Sequence, residues 1–345
     1  MEMELWFPPL LTDVSNDTNS PYHAVMNNPA PRATSDGPFA PHPLRDWPTP
    51  PPPRYLGQLD AEFQNQLAAQ HSNLTLDDCD WYHTTELPDG TVIFGQWDLK
   101  GQEPDYLGNV SLGGTTVFEP GPASGYFSYW MESQGAEVTC FEAGYDAGFE
   151  YVPAVDGTDY VSWQADFMKH IARVNNSWWL QHRDRASSAR IAYGDIYNLP
   201  ADLGMFDVSV FGSILLHLRD PFRALQQAAI HTEQTMVVTD HLHVGLEDPD
   251  DPLAQWGMDS ESPGPSHSWW CLSPGAVTRM LWRLGFGRTQ VSQYVIKRDF
   301  GMGPQDFPHF TVVAERRAHH PEPPVPEASV SVPTVAKKRK FSKRL

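Results

Sequence analysis

The residues best placed to do chemistry lie in Thr116-Val117-Phe118-Glu119-Pro120-Gly121-Pro122-Ala123-Ser124-Gly125. A short β-prone run ends at an acid, a turn of small residues follows, and a helical pattern begins. Gly121 and Gly125 permit φ > 0 and let the backbone approach a ligand, since no Cβ intervenes. A purely structural strand-to-helix turn uses glycines in the same way. Glu142 adds to the signal: it ends the next strand-like run, Val138-Thr139-Cys140-Phe141, 17 residues beyond Gly125. In nucleotide-type α/β sites an acid at that place accepts hydrogen bonds from ribose hydroxyls. The glycine spacing is GxxxG, not the GxGxxG of dinucleotide-binding folds.

Further along the chain, His217 follows a strand pattern and is a candidate general base. Its structural alternative is to cap the helix that opens at Pro221. His83, Asp240 and His241 are further candidates for proton transfer. His241 and His243, with Asp240 and Asp248 nearby, invite a metal reading, but the two imidazoles are expected to diverge at a strand end, and no metal site is expected. Trp269 and Trp270 stand in a Ser/Pro/Gly-rich segment, where they would form a wall for a flat or apolar acceptor. Trp178, Trp179 and Trp282 read as packing residues.

Strand and helix patterns alternate between two proline-rich ends. Helices are expected over 61–70, 126–134, 159–174, 221–231 and 274–284, the fourth with Pro221 in its first turn and the last closed by Gly285. Strands are expected over 115–119, 137–142, 190–193, 206–211, 235–239, 289–296 and 310–315. Such alternation implies an α/β fold: a mostly parallel seven-stranded sheet with helices on both faces and right-handed crossovers. The closing strand pair makes the last strand antiparallel. Residues 1–57 form an expected disordered leader, ending in Pro50-Pro51-Pro52-Pro53, and 318–345 an expected disordered tail. The domain proper spans 58–317, with 58–113 as an N-terminal helix and lid-like segment.

The formal charge is −19, and the last nine residues hold six Lys or Arg and no acid, so without them it is −25. Such a body repels a phosphate backbone, because nucleic-acid affinity comes largely from Lys and Arg neutralising phosphates. A small-molecule partner is therefore expected, and nucleic acid is not. Cys79, Cys140 and Cys271 are widely spaced and form neither a disulfide framework nor a zinc motif. With no secretory leader and no apolar run of roughly 18 residues, the chain reads as cytoplasmic. Lys337-Lys338-Arg339-Lys340 has the composition of a nuclear-localisation tract and equally that of a solvated tail.

Trp81-Tyr82-His83 with Leu87-Pro88-Asp89-Gly90, the glycine turn, and the run from Phe206-Asp207-Val208 through Leu216-His217-Leu218-Arg219-Asp220-Pro221 stand in this order along 78–315. Together they resemble the class I S-adenosylmethionine-dependent methyltransferases, and are similar to the tRNA wobble-uridine carboxymethyl-transfer enzymes and their relatives. The resemblance implies a Rossmann-like fold and S-adenosyl-L-methionine as cofactor. It also implies roles. Glu119, Gly121, Ala123 and Gly125 would surround the methionine part, Glu142 would hold the ribose, and Asp195 and Ile196 would border the adenine. Gly212 and Ser213 would face the sulfonium, with Tyr82 and Trp97 over the pocket.

Two departures bear on activity. Glu119 stands where aspartate is usual, and Pro120, Pro122 and Ala123 stiffen a turn where more glycine is common. The Trp-Arg-Lys-Gly type segment of the wobble-uridine enzymes is absent, so ordinary methyl transfer to oxygen or nitrogen is expected in place of carboxymethyl transfer. An RNA-modifying enzyme and a catalytically inactive binding or scaffold protein are the competing readings.

Overall fold

The computed structural model describes residues 57–144, 150–152, 159–257, 266–299 and 303–317. The leader (apart from residue 57), the tail and the tract Lys337-Lys340 lie outside these residues.

The chain enters through α1 (Ala61–Gln70) and a segment of short strands, β1 (Thr85–Glu86), β2 (Val92–Ile93) and β3 (Trp97–Asp98), then the single turn α2 (Glu103–Tyr106). The alternating body follows: β4 (Thr116–Pro120), α3 (Tyr126–Ser133), β5 (Glu137–Ala143), α4 (Tyr160–Asp184), β6 (Arg190–Gly194) and β7 (Phe206–Gly212). It continues with α5 (Pro221–His231), β8 (Thr232–His241), a small hairpin of β9 (Ala254–Trp256) and β10 (Trp270–Leu272), α6 (Pro274–Arg283), β11 (Phe286–Asp299) and β12 (Pro304–Arg316).

Eight strands make one sheet in the order β3-β11-β12-β8-β7-β4-β5-β6. The run β8-β7-β4-β5-β6 is parallel throughout. β12 is antiparallel to both β8 and β11, as expected for the last strand. The sheet has one strand more than the seven expected, because two-residue β3 pairs with Arg298 and Lys297 at the β11 edge.

Central strands are apolar on both faces, as buried parallel strands must be. Val117 meets Val138, Ile191 and Val208 in one core, covered by Phe127, Met131, Trp178 and Trp179 from α3 and α4. Phe118, its neighbour, turns to the other core with Phe141, Phe211, Met236 and the α5–α6 residues Ala224, Leu225, Val277 and Leu281. From β4 the chain moves outward to β5 and β6, then returns to lay β7 on the other side of β4. That reversal is a topological switch point, the place beyond the carboxyl ends of the strands where sheets of this kind bind ligands.

Helix ends follow local chemistry. Asp220 and Ser273 accept hydrogen bonds from the Arg223 and Ala276 amides, each at 3.0 Å, ahead of Pro221 and Pro274. α4 runs to Asp184, ten residues past the expected end at 174, because Asn176 and Ser177 donate to the Asp78 and Asp80 carbonyls and leave the helix unbroken.

Candidate functional site

The loop from β4 to α3 lies at the switch point. Gly121, Ala123 and Gly125 adopt φ of 73°, 49° and 87°. A Cβ on Gly121 would come within 2.7 Å of Ile214 Cδ1, and one on Gly125 within 2.6 Å and 2.8 Å of the Tyr129 and Trp178 rings. Both glycines are thus required by conformation and by neighbours, while Ala123 sustains a left-handed conformation that costs roughly 1–2 kcal/mol for a residue with a Cβ. The loop is tied from outside: Gln181 Nε2 donates to the Ser124 carbonyl at 2.6 Å, and the His83 amide to Ser124 Oγ at 3.4 Å. His83 is a buried, neutral ring, its pKa pushed down to about 3 by burial, which makes it a strut for the loop. Glu119 turns into the protein beneath the loop, where Ser128 Oγ donates to it at 2.5 Å. Burial pushes its carboxyl up to about 7.

Along the same edge, Glu142 ends β5. It is half-buried, and among the described residues its one hydrogen bond comes from the Ala143 amide, at 2.8 Å. Burial pushes its carboxyl up to about 7, and among the described residues no donor reaches its other oxygen. Asp195, just past β6, accepts from the Tyr197 amide at 2.9 Å, and half-buried Ile196 packs on the second core. β5 and β6 pair Glu142 with Tyr193 and Ala143 with Gly194, so Glu142 and Asp195 close neighbouring strand ends.

On the other side of the switch point, Gly212 closes β7 and Ser213 follows it. Tyr106 crowds this end: its hydroxyl donates to Ser213 Oγ at 3.1 Å, and a Cβ on Gly212 would lie 2.9 Å from it. Ser213 has φ of 51°. His217 closes a 3-10 turn, Leu215–His217, with Nδ1 2.7 Å from the His267 carbonyl. A carbonyl only accepts, so Nδ1 carries the proton and Nε2 keeps the lone pair. Burial lowers the pKa of this imidazole and holds it neutral.

Asp240 and His241 end β8 on opposite faces. Asp240 is 3% exposed; its Oδ1 accepts from the His241 amide at 2.8 Å, and among the described residues its Oδ2 finds no partner. Burial pushes this carboxyl up to about 7. On the other face, His241 packs against His309 (ring centroids 4.6 Å apart), Trp97 (5.3 Å) and His243 (6.1 Å). The expected divergence of His241 and His243 is therefore wrong, since residues two apart share a face. No group of three or more His, Cys, Asp or Glu among the described residues is arranged to hold a metal.

Tyr82 and Trp97 belong to this β8–β12 side. Trp97 is sandwiched by Arg298 at 4.4 Å and by the His241 and His309 rings. Trp269 and Trp270 follow β8 as expected, but their rings are engaged: Trp256 meets both edge-on at 5.5 Å, Arg219 lies 4.7 Å over Trp269, and Trp270 Nε1 donates to the Arg219 carbonyl at 3.0 Å. The main chain of this segment pairs with the His217 turn, the Trp269 amide donating to the Leu216 carbonyl at 2.7 Å.

The structure thus gathers Gly121, Ala123, Gly125, Glu142 and Asp195 along β4–β6, and Gly212, Ser213 and His217 beyond β7. Sequence reasoning missed Tyr106, Ile214, His309 and Arg298. The available signal was the alternation of β12, which sets His309 opposite His241, but Pro304 and Pro308 obscure that strand.

No protein-family model matches the chain, and no curated protein matches it. Among solved structures it is similar to the N-terminal domain of EvdMO1 crystallised with SAH and D-fucose, at 17% identity and TM-score 0.41 over 73% of this chain and 97% of that one. It is also similar to magnesium protoporphyrin IX methyltransferase from Synechocystis with bound SAH, at 11% identity and TM-score 0.39 over 64% and 82% of the two chains. The third is the Burkholderia thailandensis 1,6-didemethyltoxoflavin-N1-methyltransferase, at 10%, 0.37, and 63% and 78%. Likenesses this weak bring neither activity nor substrate to this chain. Its own strand order, with the switch point between β4 and β7 and antiparallel β12 beside β8, is the Rossmann-like, mostly parallel α/β sheet with an antiparallel last strand expected from the sequence.

Proposed function

We propose that residues 58–317 form an S-adenosylmethionine-dependent methyltransferase domain acting on an oxygen or nitrogen of a small-molecule acceptor. The observation that carries this reading is the switch point between β4 and β7, with a left-handed loop on one strand end and a half-buried carboxylate with acceptor capacity, Glu142, on the next. Those groups fit the cofactor: Gly121, Ala123 and Gly125 expose backbone to its amino-acid part, Glu142 accepts from the ribose hydroxyls, and Asp195 and Ile196 border the adenine. Glu119 supports the loop from beneath, and Gly212 and Ser213 lie on the opposite side of the switch point. When bound, S-adenosylmethionine supplies an electrophilic methyl group for in-line displacement.

His217 Nε2 takes the acceptor's proton, the His267 carbonyl having fixed the tautomer. Trp269 and Trp270 act through the 266–272 segment, bracing His267 against the His217 turn. The acidic body favours a small acceptor over RNA.

The cofactor class is tested by thermal unfolding with S-adenosylhomocysteine or NAD. A ligand that binds only the folded state at 100 times its Kd contributes about 2.7 kcal/mol. For a domain of this size that amounts to a rise of roughly 5–10 °C. The rise is expected with S-adenosylhomocysteine, and absent with NAD; the reverse pattern sinks the proposal.

A further inference from the structure

Around Trp97 the molecule carries a site that methyl transfer alone does not call for. β3 sets Trp97 directly across from Arg298 on β11, and the guanidinium lies 4.4 Å over the indole and 5.9 Å from the Phe307 ring. His241 and His309 pack on the same indole at 5.3 Å and 5.5 Å. His217 and His267, their tilted rings 5.0 Å apart, complete the surroundings, and burial first, with the Arg298 charge adding to it, lowers the pKa of all four imidazoles. These histidines are neutral by burial, so Arg298 supplies the positive charge of the cluster. Trp97 is 4% exposed, yet among the described residues its indole N–H finds no hydrogen-bond acceptor. An orphaned buried donor carries a desolvation cost that a bound acceptor atom returns.

From this geometry we infer that the cluster binds the anionic group, carboxylate or phosphate, of a planar acceptor, with Trp97 Nε1 and Arg298 as its donors. The inference rests on the methyltransferase reading, because it places the acceptor on the β7–β8 side of the switch point, beside His217. A planar fork of N–H donors matches either oxyanion. The flat body of the acceptor would lie among Phe307, His309 and Tyr82. In a chain of net charge −19, an anion is drawn in only where such a local cation overrides the overall repulsion. A purely structural cross-strand pair would hold β3 to the sheet equally well, but it leaves the indole N–H unexplained.

The test is calorimetric titration of the full chain, in saturating S-adenosylhomocysteine, with benzoate, phenyl phosphate and neutral benzamide. At least one anion should bind ten-fold or more tighter than benzamide, and the stronger of the two identifies the group. Arg298→Gln should abolish that preference. Trp97→Phe, which keeps an aromatic ring and removes the N–H, should weaken the anion several-fold, and Arg298→Gln should keep S-adenosylhomocysteine affinity. Benzamide binding as well as the anions, or anion binding unchanged in Trp97→Phe, overturns the inference; so does absence of all three probes while S-adenosylhomocysteine binds. Failure of S-adenosylhomocysteine with the anion preference intact would instead sink the methyltransferase reading and leave the anion site standing.

Discussion

Ala123 holds a φ of 49° in a loop whose neighbours Gly121 and Gly125 are left-handed glycines. Ala123→Gly relieves the steric cost of a Cβ there, roughly 1–2 kcal/mol, against a larger entropy loss on folding. The expected outcome is a small net stabilisation, up to about 1 kcal/mol in urea unfolding, with cofactor affinity kept. A second residue-scale consequence comes from buried acids. Asp240 binds its proton up to about pH 7 in the folded protein, against an ordinary value of 3.8, and Glu119 behaves alike. The folded state therefore holds more protons than the unfolded one between about pH 4 and 7, so stability falls as pH rises through that window. Buried histidines have the opposite sign: His83, held near 3 against 6.5, makes stability fall as pH drops through that range. Asp240→Asn removes one acid contribution, so its loss of stability from pH 5 to pH 8 should be shallower than the parent's. Denaturant midpoints at the two pH values decide this, and parallel losses would refute it.

At the scale of elements, Ser273 joins α6 to the preceding segment. Its fully buried Oγ accepts from the Ala276 and Leu253 amides at 3.0 Å and 2.9 Å and donates to the Asp251 carbonyl at 2.6 Å. Ser273→Ala strands these groups and should cost about 1–3 kcal/mol in urea unfolding; a change below 0.5 kcal/mol would refute the capping account. Elements governed by local pattern were readable from sequence: α1 and α5 begin and end at the expected residues, and β4 to β7 deviate by one residue at most at either end. Where long-range contacts govern, the pattern fell short. α4 continues through Asn175 and Asn176 because polar groups of another segment receive Asn176 and Ser177. β12 begins six residues before its expected start because Pro304 and Pro308 read as loop, and β3 is too short to show a period. The site divides likewise. The glycine turn and Glu142 announce themselves by spacing, but the meeting of Trp97, Arg298 and His309 depends on pairings between segments some 200 residues apart in the chain.

For the whole molecule, the sheet reverses between β4 and β7, and the chain places a loop and an acid on the β4–β5 side of that point and a neutral histidine on the β7 side. No helix among the described residues is long and apolar enough to cross a membrane. The competing scaffold reading draws on Ile214, whose side chain lies against Gly121 and could keep the loop closed to ligands. One measurement separates the two readings: calorimetric titration of the full chain with S-adenosylhomocysteine, alongside Gly121→Arg. The account predicts micromolar binding, one site per chain, abolished in a variant that remains folded. Absence of binding at high protein concentration, or equal binding in Gly121→Arg, would contradict it.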